Sequence, residues 1–335
     1  MPLEMENKPI EIVCSTDGNY VMPTGVMLHS LFVNNMDESI NVHLLHDGIS
    51  ADQISGLKDI VSKHGGKITF YKVDESKFSF FPIGHEYQSK HAGLSLATYY
   101  RLFMTKILPE NIDRVIYLDG DILVTSSIRG LWETDISGKA MAGVPDTYNN
   151  IPAHYNRLRY PQVCGYVNCG VLLINLEYWR AHDVTRKFID YVKLYPERLV
   201  CHDQDVLNYL FRNDKVILHL KYNMLNEYFF DLRYNMISWE YEKQMLEGQE
   251  NPVIVHFTCI PKPWYKNCRH PYKLLFDRFK AATPWRDVKQ KRWTEARYII
   301  ERLCIKFVVL LGLRGQEYIV DNRYSKKLRI KSGNV

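Results

Sequence analysis

The stretch RVIYLDGDILV (Arg114–Val124) carries two aspartates, Asp119 and Asp121, where an apolar run gives way to polar residues, with Gly120 between them. Residues i and i+2 of a strand face the same side, so the two carboxylates are expected to point together. Like charges so placed repel, and a divalent cation is their natural partner. Taken alone, the pair reads equally as a solvated turn, since Asp-Gly is a common turn dipeptide. His256 closes a second apolar run, Val253-Ile254-Val255, and Lys262 lies six residues further on. A neutral imidazole beside two carboxylates suits manganese better than magnesium, which prefers all-oxygen shells. Lys262 can hold a phosphate as a point charge. Each also has a plain structural reading: a lone histidine in a fold, and a surface lysine between Pro261 and Pro263.

Other polar clusters sit at element boundaries. In STDGNY, Asp17, Asn19 and Tyr20 follow a short apolar run; a base can stack on Tyr20, and Asp17 or Asn19 can read its edge. The same residues also make an ordinary turn between strand and helix. CHDQDVLN places Asp203, Gln204 and Asp205 at a helix start, where acidic residues also serve as cap and first turn. Asn168 precedes the apolar run VLLINL. The segment NMLNEYFFDLRYNMISWEY is read as packing and groove wall, without chemistry of its own.

These residues need a scaffold. EIVCSTD reads as a buried strand, TGVMLHSLFVNN as a helix, INVHLLHDG as a strand, ADQISGLKDIVSKHGG as an amphipathic helix stopped by glycines, and KITFYKVD as a strand. SLATYYRLFMTKILP reads as a helix and RVIYLDGDILV as one strand. The alternation favours an α/β sheet with crossover helices. Ligands of such sheets collect beyond the carboxyl ends of the strands, where Asp17, Asp119 and His256 fall. The chain has 335 residues, 46% of them hydrophobic, ample for one large domain with an appendage.

Charge is unevenly placed. The formal net is +5, yet Pro284–Val335 alone carries +8 and the first 283 residues −3. A basic tail on an acidic body is not a nucleic-acid-binding composition. The seven cysteines are scattered with no CxxC spacing, which argues against a zinc ribbon or redox motif and for a reduced, cytoplasmic chain. No secretory signal is read at the start, and no apolar run reaches the roughly 18 residues of a membrane-spanning helix.

In order along the chain, STDGNYV, ATYYRL, YLDGDILV, NCGVLLINLEYWR with DQDVLN, and HFTCIPKPW resemble the motifs of glycosyltransferase family 8. The family's retaining enzymes use nucleotide sugars, and the likeness is greatest to bacterial lipopolysaccharide α-galactosyl- and α-glucosyltransferases. It spans about Ile10 to Trp264. It implies a GT-A fold, a Rossmann-like mixed sheet flanked by helices, over residues 1–283, with a basic extension at 284–335. By the same resemblance, Asp119, Asp121 and His256 look like ligands of Mn²⁺ (Mg²⁺ is the alternative). Asp17, Asn19 and Tyr20 look like the uridine site, with Ser15 and Gly120 among the donor-binding positions, and Lys262 like the diphosphate contact. Arg101, Asn168, Asp203 and Gln204 look like the shell around the donor sugar, and Asp146 like a residue near the acceptor; Gln204, Asp203 and Asp146 are the candidates for catalysis.

The implied reaction moves galactose or glucose from a UDP-hexose to a saccharide or lipid-linked saccharide, with retention. A covalent route wants a carboxylate beneath the sugar. The matching position is Gln204, a poor nucleophile, so attack from the leaving group's own face is expected. Two departures stand out: Cys259 replaces the glycine usual in HFxGxxKPW, and Asp17-Gly18 replaces the two acidic residues of some relatives. A phosphatase of the haloacid-dehalogenase type would share the paired aspartates, but it usually has Thr or Val where Leu123 stands and gives no role to His256 or Lys262. A non-catalytic sugar-binding protein is the third reading. In the extension, Trp293, Tyr298, Ile299, Leu303, Phe307 and Leu310 can share one helical face flanked by basic residues. With Trp285 also of the interfacial type, this suggests a helix lying on an anionic membrane surface, at the inner face of the cytoplasmic membrane.

Overall fold

A computed structural model describes residues 8–74, 96–229, 239–294 and 300. The expected alternation is present. Strands β1 (Ile10–Thr16), β2 (Ile40–His46) and β3 (Lys67–Lys72) are linked by helices α1 (Val21–Val33) and α2 (Ala51–Lys63). Helix α2 opens with a capping box, in which the Ser50 hydroxyl accepts from the Gln53 N–H and the Gln53 side chain accepts from the Ser50 N–H. Helix α1 is buried along most of its length, because it lies between the main sheet and later parts of the chain. Further strands are β4 (Arg114–Leu118), β5 (Ile122–Val124), β6 (Met141–Pro145), β7 (Val167–Asn175), β8 (Lys215–Ile217), β9 (Met224–Leu225) and β10 (Ile254–His256).

The main sheet runs β3-β2-β1-β4-β7-β6-β8. Neighbours from β3 to β4 are parallel; β7 is antiparallel to both β4 and β6, and β6–β8 is parallel. Strand order therefore reverses between β1 and β4, which makes the crevice beyond their carboxyl ends the place for a ligand. Apolar side chains cover both faces. Ile12, Cys14 and Ile116 pack towards α1 and α2. Val13, Val115 and Tyr117 pack on the other side, with Trp179 and Phe188.

Three expectations need correction. RVIYLDGDILV is not one strand: β4 ends at Leu118, Asp119 to Asp121 form a connection, and β5 joins a separate sheet of order β5-β10-β9. The repelling pair and its glycine favour a bend over continued pleating. SLATYYRLFMTKILP is not one helix over its described residues; α3 (Ala97–Tyr100) passes through a 3₁₀ turn at Arg101–Phe103 into a second short helix, Met104–Ile107. The start of the basic extension is also not the expected amphipathic helix. Trp285 packs against α1 and α2, and Trp293 is non-helical and stacks edge-on against Tyr265, with ring centroids 5.1 Å apart. The other residues of the expected amphipathic face lie outside the described residues.

Candidate active site

Three segments bring side chains together at the switch point. β4 delivers Asp119, the connection to β5 delivers Asp121, and β10 delivers His256. The Asp119 N–H donates to the Gly170 carbonyl on β7 (2.8 Å), and the Phe257 N–H donates to the Asp121 carbonyl (3.0 Å). Each bond extends its own sheet, β4–β7 or β10–β5, and the covalent link Asp119-Gly120-Asp121 joins the two where the side chains converge. His256 Nε2 lies 3.3 Å from Asp121 Oδ1 and 4.0 Å from Asp119 Oδ2. One ligand atom from each of the three residues fits within a 4.8 Å group.

The tautomer of His256 follows from a relay of amides. The Asn168 amide donates to Asp146 Oδ2 (2.9 Å), and its carbonyl accepts from the Gly170 N–H (3.0 Å) and from the Asn223 amide (2.9 Å). That turns the Asn223 carbonyl towards His256 Nδ1, at 3.1 Å. Nδ1 is then the protonated nitrogen, and the Nε2 lone pair faces the two carboxylates, the arrangement a metal-ligating histidine requires. Gly170 clears the space: a Cβ there would sit 2.2 Å from His256 Cε1 and 2.8 Å from Asp119 Oδ2. Gly120 is likewise required, since its Cβ would lie 2.6 Å from the Thr24 hydroxyl. The donor set and the cleared space fit a divalent cation.

Lys262 Nζ is bonded to Asp121 Oδ2 at 2.8 Å and to the Phe257 and Thr258 carbonyls. Burial alone would lower the lysine's pKa, but Asp121 outweighs it and holds the ammonium firmly charged. Burial would raise that of Asp121, but Lys262 and His256 outweigh it and keep the carboxyl well below its usual range. Arg101 forms a second buried bridge, to Asp119 (2.7 Å) and Asp203 (3.0 Å), with its guanidinium 4.0 Å above the Tyr117 ring. Burial works against its charge, and the two aspartates outweigh burial. Burial pushes Asp203 up to about 7, with Arg101 pulling the other way.

The remaining sequence candidates surround this centre. Asp17 Oδ1 accepts from the N–H groups of Asn19 and Tyr20 (2.8 and 3.1 Å), so the βα turn reading also holds. Ser15 is on β1 just before it, Asn19 is exposed, and Tyr20 meets Trp264 edge-on at 5.4 Å. Asp203 begins a helix, α4 (Asp203–Leu210). Gln204 is fully engaged: its carbonyl accepts from the Cys169 N–H (3.0 Å), and its amide donates to Asp146 (3.2 Å) and to the Tyr166 hydroxyl (3.3 Å). Asp146 thus belongs to the same network as Asn168 and Gln204. Cys259 donates its thiol to Glu227 at 3.2 Å, and the Thr258 hydroxyl donates to the same carboxylate at 3.1 Å.

Sequence reasoning missed Asn223, Glu227 and Gly170. The first two lie in the segment read as wall, and only a tertiary contact gives them a role. Gly170 was visible as an interior glycine in a strand-like run, a mark of close approach. A second group of possible ligands, His154, Cys201 and Asp205, is structural. Asp205 already accepts from both Arg157 nitrogens, the Tyr166 hydroxyl and the N–H groups of Val200 and Cys201.

The family model for glycosyl transferase family 8 matches residues 11–268, most of the chain, with Asp119, Asp121, His256 and Lys262 inside the match. The chain belongs to glycosyltransferase family 8. General stress protein A of Bacillus subtilis is 31% identical over 286 residues, covering 83% of this chain and 96% of that one. The lipopolysaccharide 1,2-glucosyltransferase of Escherichia coli K12 is 26% identical over 299 residues, covering 87% and 82%. Among solved structures, the galactosyltransferase LgtC in complex with donor and acceptor sugar analogs superposes with a TM-score of 0.72 at 24% identity, over 87% of this chain and all of that one. The architecture of this family 8 glycosyltransferase is accordingly the GT-A fold expected from the motifs.

Proposed function

We propose that this glycosyltransferase is a hexosyltransferase that moves galactose or glucose from a UDP-hexose, with retention, onto a saccharide of lipopolysaccharide or another cell-surface glycan, and that its metal is Mn²⁺. The observation that carries the reading is the convergence of Asp119, Asp121 and the Nε2 face of His256 beside Lys262, at the switch point of a family 8 fold. The similarity to a lipopolysaccharide glucosyltransferase supports the acceptor class. A divalent cation held by these three residues supplies fixed positive charge against the diphosphate leaving group. Lys262 adds the charge of a buried ammonium as it turns from Asp121 to the diphosphate. Tyr20 offers its ring to uracil, with Ser15, Asp17, Asn19 and Gly120 lining that end.

Arg101, Asn168, Asp203 and Gln204 form the sugar shell; Asp146 orients Asn168 and Gln204 from the acceptor side, and Arg101 pairs with Asp203. None of their carboxylates is a good nucleophile. Asp203 is paired with Arg101 and raised to about 7, while both oxygens of Asp146 already accept N–H bonds. This supports attack from the leaving group's own face, with a phosphate oxygen taking the acceptor proton. Residues 1–283 are proposed as the catalytic unit. The net +8 that follows is proposed to rest on an anionic membrane through residues beyond 294, since Trp285 and Trp293 are turned inward. Among the described residues, no helix is long and apolar enough to cross a membrane.

The test is a screen of UDP-sugars for metal-dependent UDP release with a saccharide acceptor, run on the wild type, Asp121→Ala and Cys259→Gly. Transfer is expected with Mn²⁺ and lost with EDTA or Asp121→Ala, while circular dichroism stays unchanged. Full activity in EDTA would sink the reading. Cys259→Gly removes the thiol bond to Glu227 while the Thr258 bond stays, and is expected to change the ranking of donors; an unchanged ranking removes Cys259 from specificity.

A further inference from the structure

After helix α5 (Lys273–Ala281) the chain does not leave the domain. It crosses α1 and α2 and, by residue 294, reaches the loop that carries Lys262. Two helical glycines mark the crossing. A Cβ on Gly25 would lie 2.2 Å from the Trp285 ring, and one on Gly56 would lie 3.3 Å from it. Glycine inside a helix costs about 1 kcal/mol relative to alanine, and here its absent side chain seats a tryptophan. Beyond Trp285, Lys280 Nζ donates to the carbonyls of Arg286 (3.0 Å) and Val288 (2.8 Å). The Gln290 amide donates to Asp277 Oδ1 (2.6 Å), and Gln290 Oε1 accepts from Lys273 Nζ (3.0 Å).

The last stretch then bonds the loop itself. The Lys266 N–H donates to the Lys291 carbonyl (2.9 Å). Asn267 spans the backbone of Trp293: its carbonyl accepts the Trp293 N–H (2.9 Å), and its amide donates to the Trp293 carbonyl (3.0 Å). The Trp293 ring meets Tyr265 edge-on. Tyr265 is tied in turn to Lys262, donating its N–H to the Lys262 carbonyl (3.0 Å). Trp264, in the same loop, meets Tyr20. Residues 284–294 thus touch both α1, at Gly25 one turn beyond its N-cap Tyr20, and the loop of Lys262.

We infer that Asn267 is a positioning residue for Lys262, and that residues 284–294 act as a strap holding the diphosphate loop against the nucleotide site. This rests on the assignment of Lys262 to the diphosphate. Holding a loop in its bound geometry removes an ordering cost from binding. The strap therefore acts on donor affinity, and neither on metal affinity, which Asp119, Asp121 and His256 set, nor on the chemical step once donor is saturating.

The experiment uses full-length protein with Asn267→Ala, Asn267→Asp, Trp293→Ala and Lys262→Ala. UDP affinity is measured by calorimetry with Mn²⁺ present, Mn²⁺ affinity alone by electron paramagnetic resonance, and donor KM and kcat by UDP release. Two lost hydrogen bonds make Asn267→Ala expected to weaken UDP and raise donor KM about three- to tenfold, with kcat and Mn²⁺ affinity within about twofold. Asn267→Asp keeps the bond from the Trp293 N–H and is expected to fall between. Trp293→Ala should repeat the KM effect. Unchanged UDP affinity in Asn267→Ala and Trp293→Ala, with or without a lower Tm, would overturn the strap's role. So would an equal loss of Mn²⁺ affinity. Lys262→Ala separates the two layers: if it leaves UDP affinity intact, the diphosphate assignment fails; if it weakens UDP while Asn267→Ala does not, the strap fails.

Discussion

His256 can meet a metal only through its neighbours. An imidazole presents either nitrogen with little intrinsic bias, and the partner of the other nitrogen decides which one carries the proton. Here Asp146 orients Asn168, Asn168 orients Asn223, and the Asn223 carbonyl accepts the hydrogen bond from Nδ1–H. Asn223 is fully buried, and its bond to Asn168 leaves donor binding to be read separately from metal binding. Asn223→Leu is similar in size but has no acceptor, so Nε2 loses its bias towards a free lone pair. Mn²⁺ affinity is expected to fall about tenfold, read by electron paramagnetic resonance without nucleotide. Affinity within twofold of wild type would show that the relay does not set the tautomer.

At the scale of elements, the site depends on close approaches bought with missing side chains. Gly170 lets β7 pass beside His256 and Asp119, and Gly25 and Gly56 let Trp285 settle onto α1 and α2. Alanine at 25 would gain helix propensity worth about 1 kcal/mol. Against that, a contact of 2.2 Å forces the tryptophan ring to move, and overpacking of this kind costs about 1–3 kcal/mol. The steric term wins. Gly25→Ala is therefore expected to lower stability in urea unfolding and to red-shift tryptophan emission as Trp285 is displaced. A variant as stable as wild type, with unchanged emission, would show that the strap is loosely seated.

The whole molecule carries an acid sensitivity unrelated to its carboxylates. His270 lies buried among Phe229, Phe257 and Tyr272, with Nδ1 accepting the Tyr272 N–H. Burial lowers its pKa from 6.5 to about 3. Between those values the unfolded chain binds a proton that the folded chain refuses. Stability is thus fully present above about pH 6.5 and is lost as pH falls towards 3, with a slope of up to about 1.4 kcal/mol per pH unit. His270→Asn keeps an acceptor for the Tyr272 N–H but does not titrate. Urea unfolding at pH 7.5, 6 and 5 is expected to show a shallower loss of stability in the variant; parallel curves would place the sensitivity elsewhere.

Much of this was legible in the residue order. Apolar runs of period two alternating with helical spacing specify an α/β sheet, because each pattern buries one face and only layered packing satisfies both. Asp17, Asp119 and His256 were legible as strand-end residues, and the order of the motifs pointed to the family. Distance was not legible. Lys262 bonds Asp121 across 141 residues of chain, and no local spacing encodes that pairing. Nor could spacing show that β4 and β5 part into different sheets at Gly120, since a bend and a continued strand share the same letters. Asn223 was indistinguishable from a packing residue, because its role exists only where Asn168 and His256 meet it. Trp285 and Trp293 have the chemistry of a membrane interface, yet an amphipathic ring is equally satisfied by a notch of glycines or the edge of a tyrosine. Which surface lay nearer was settled by the path of the folded chain.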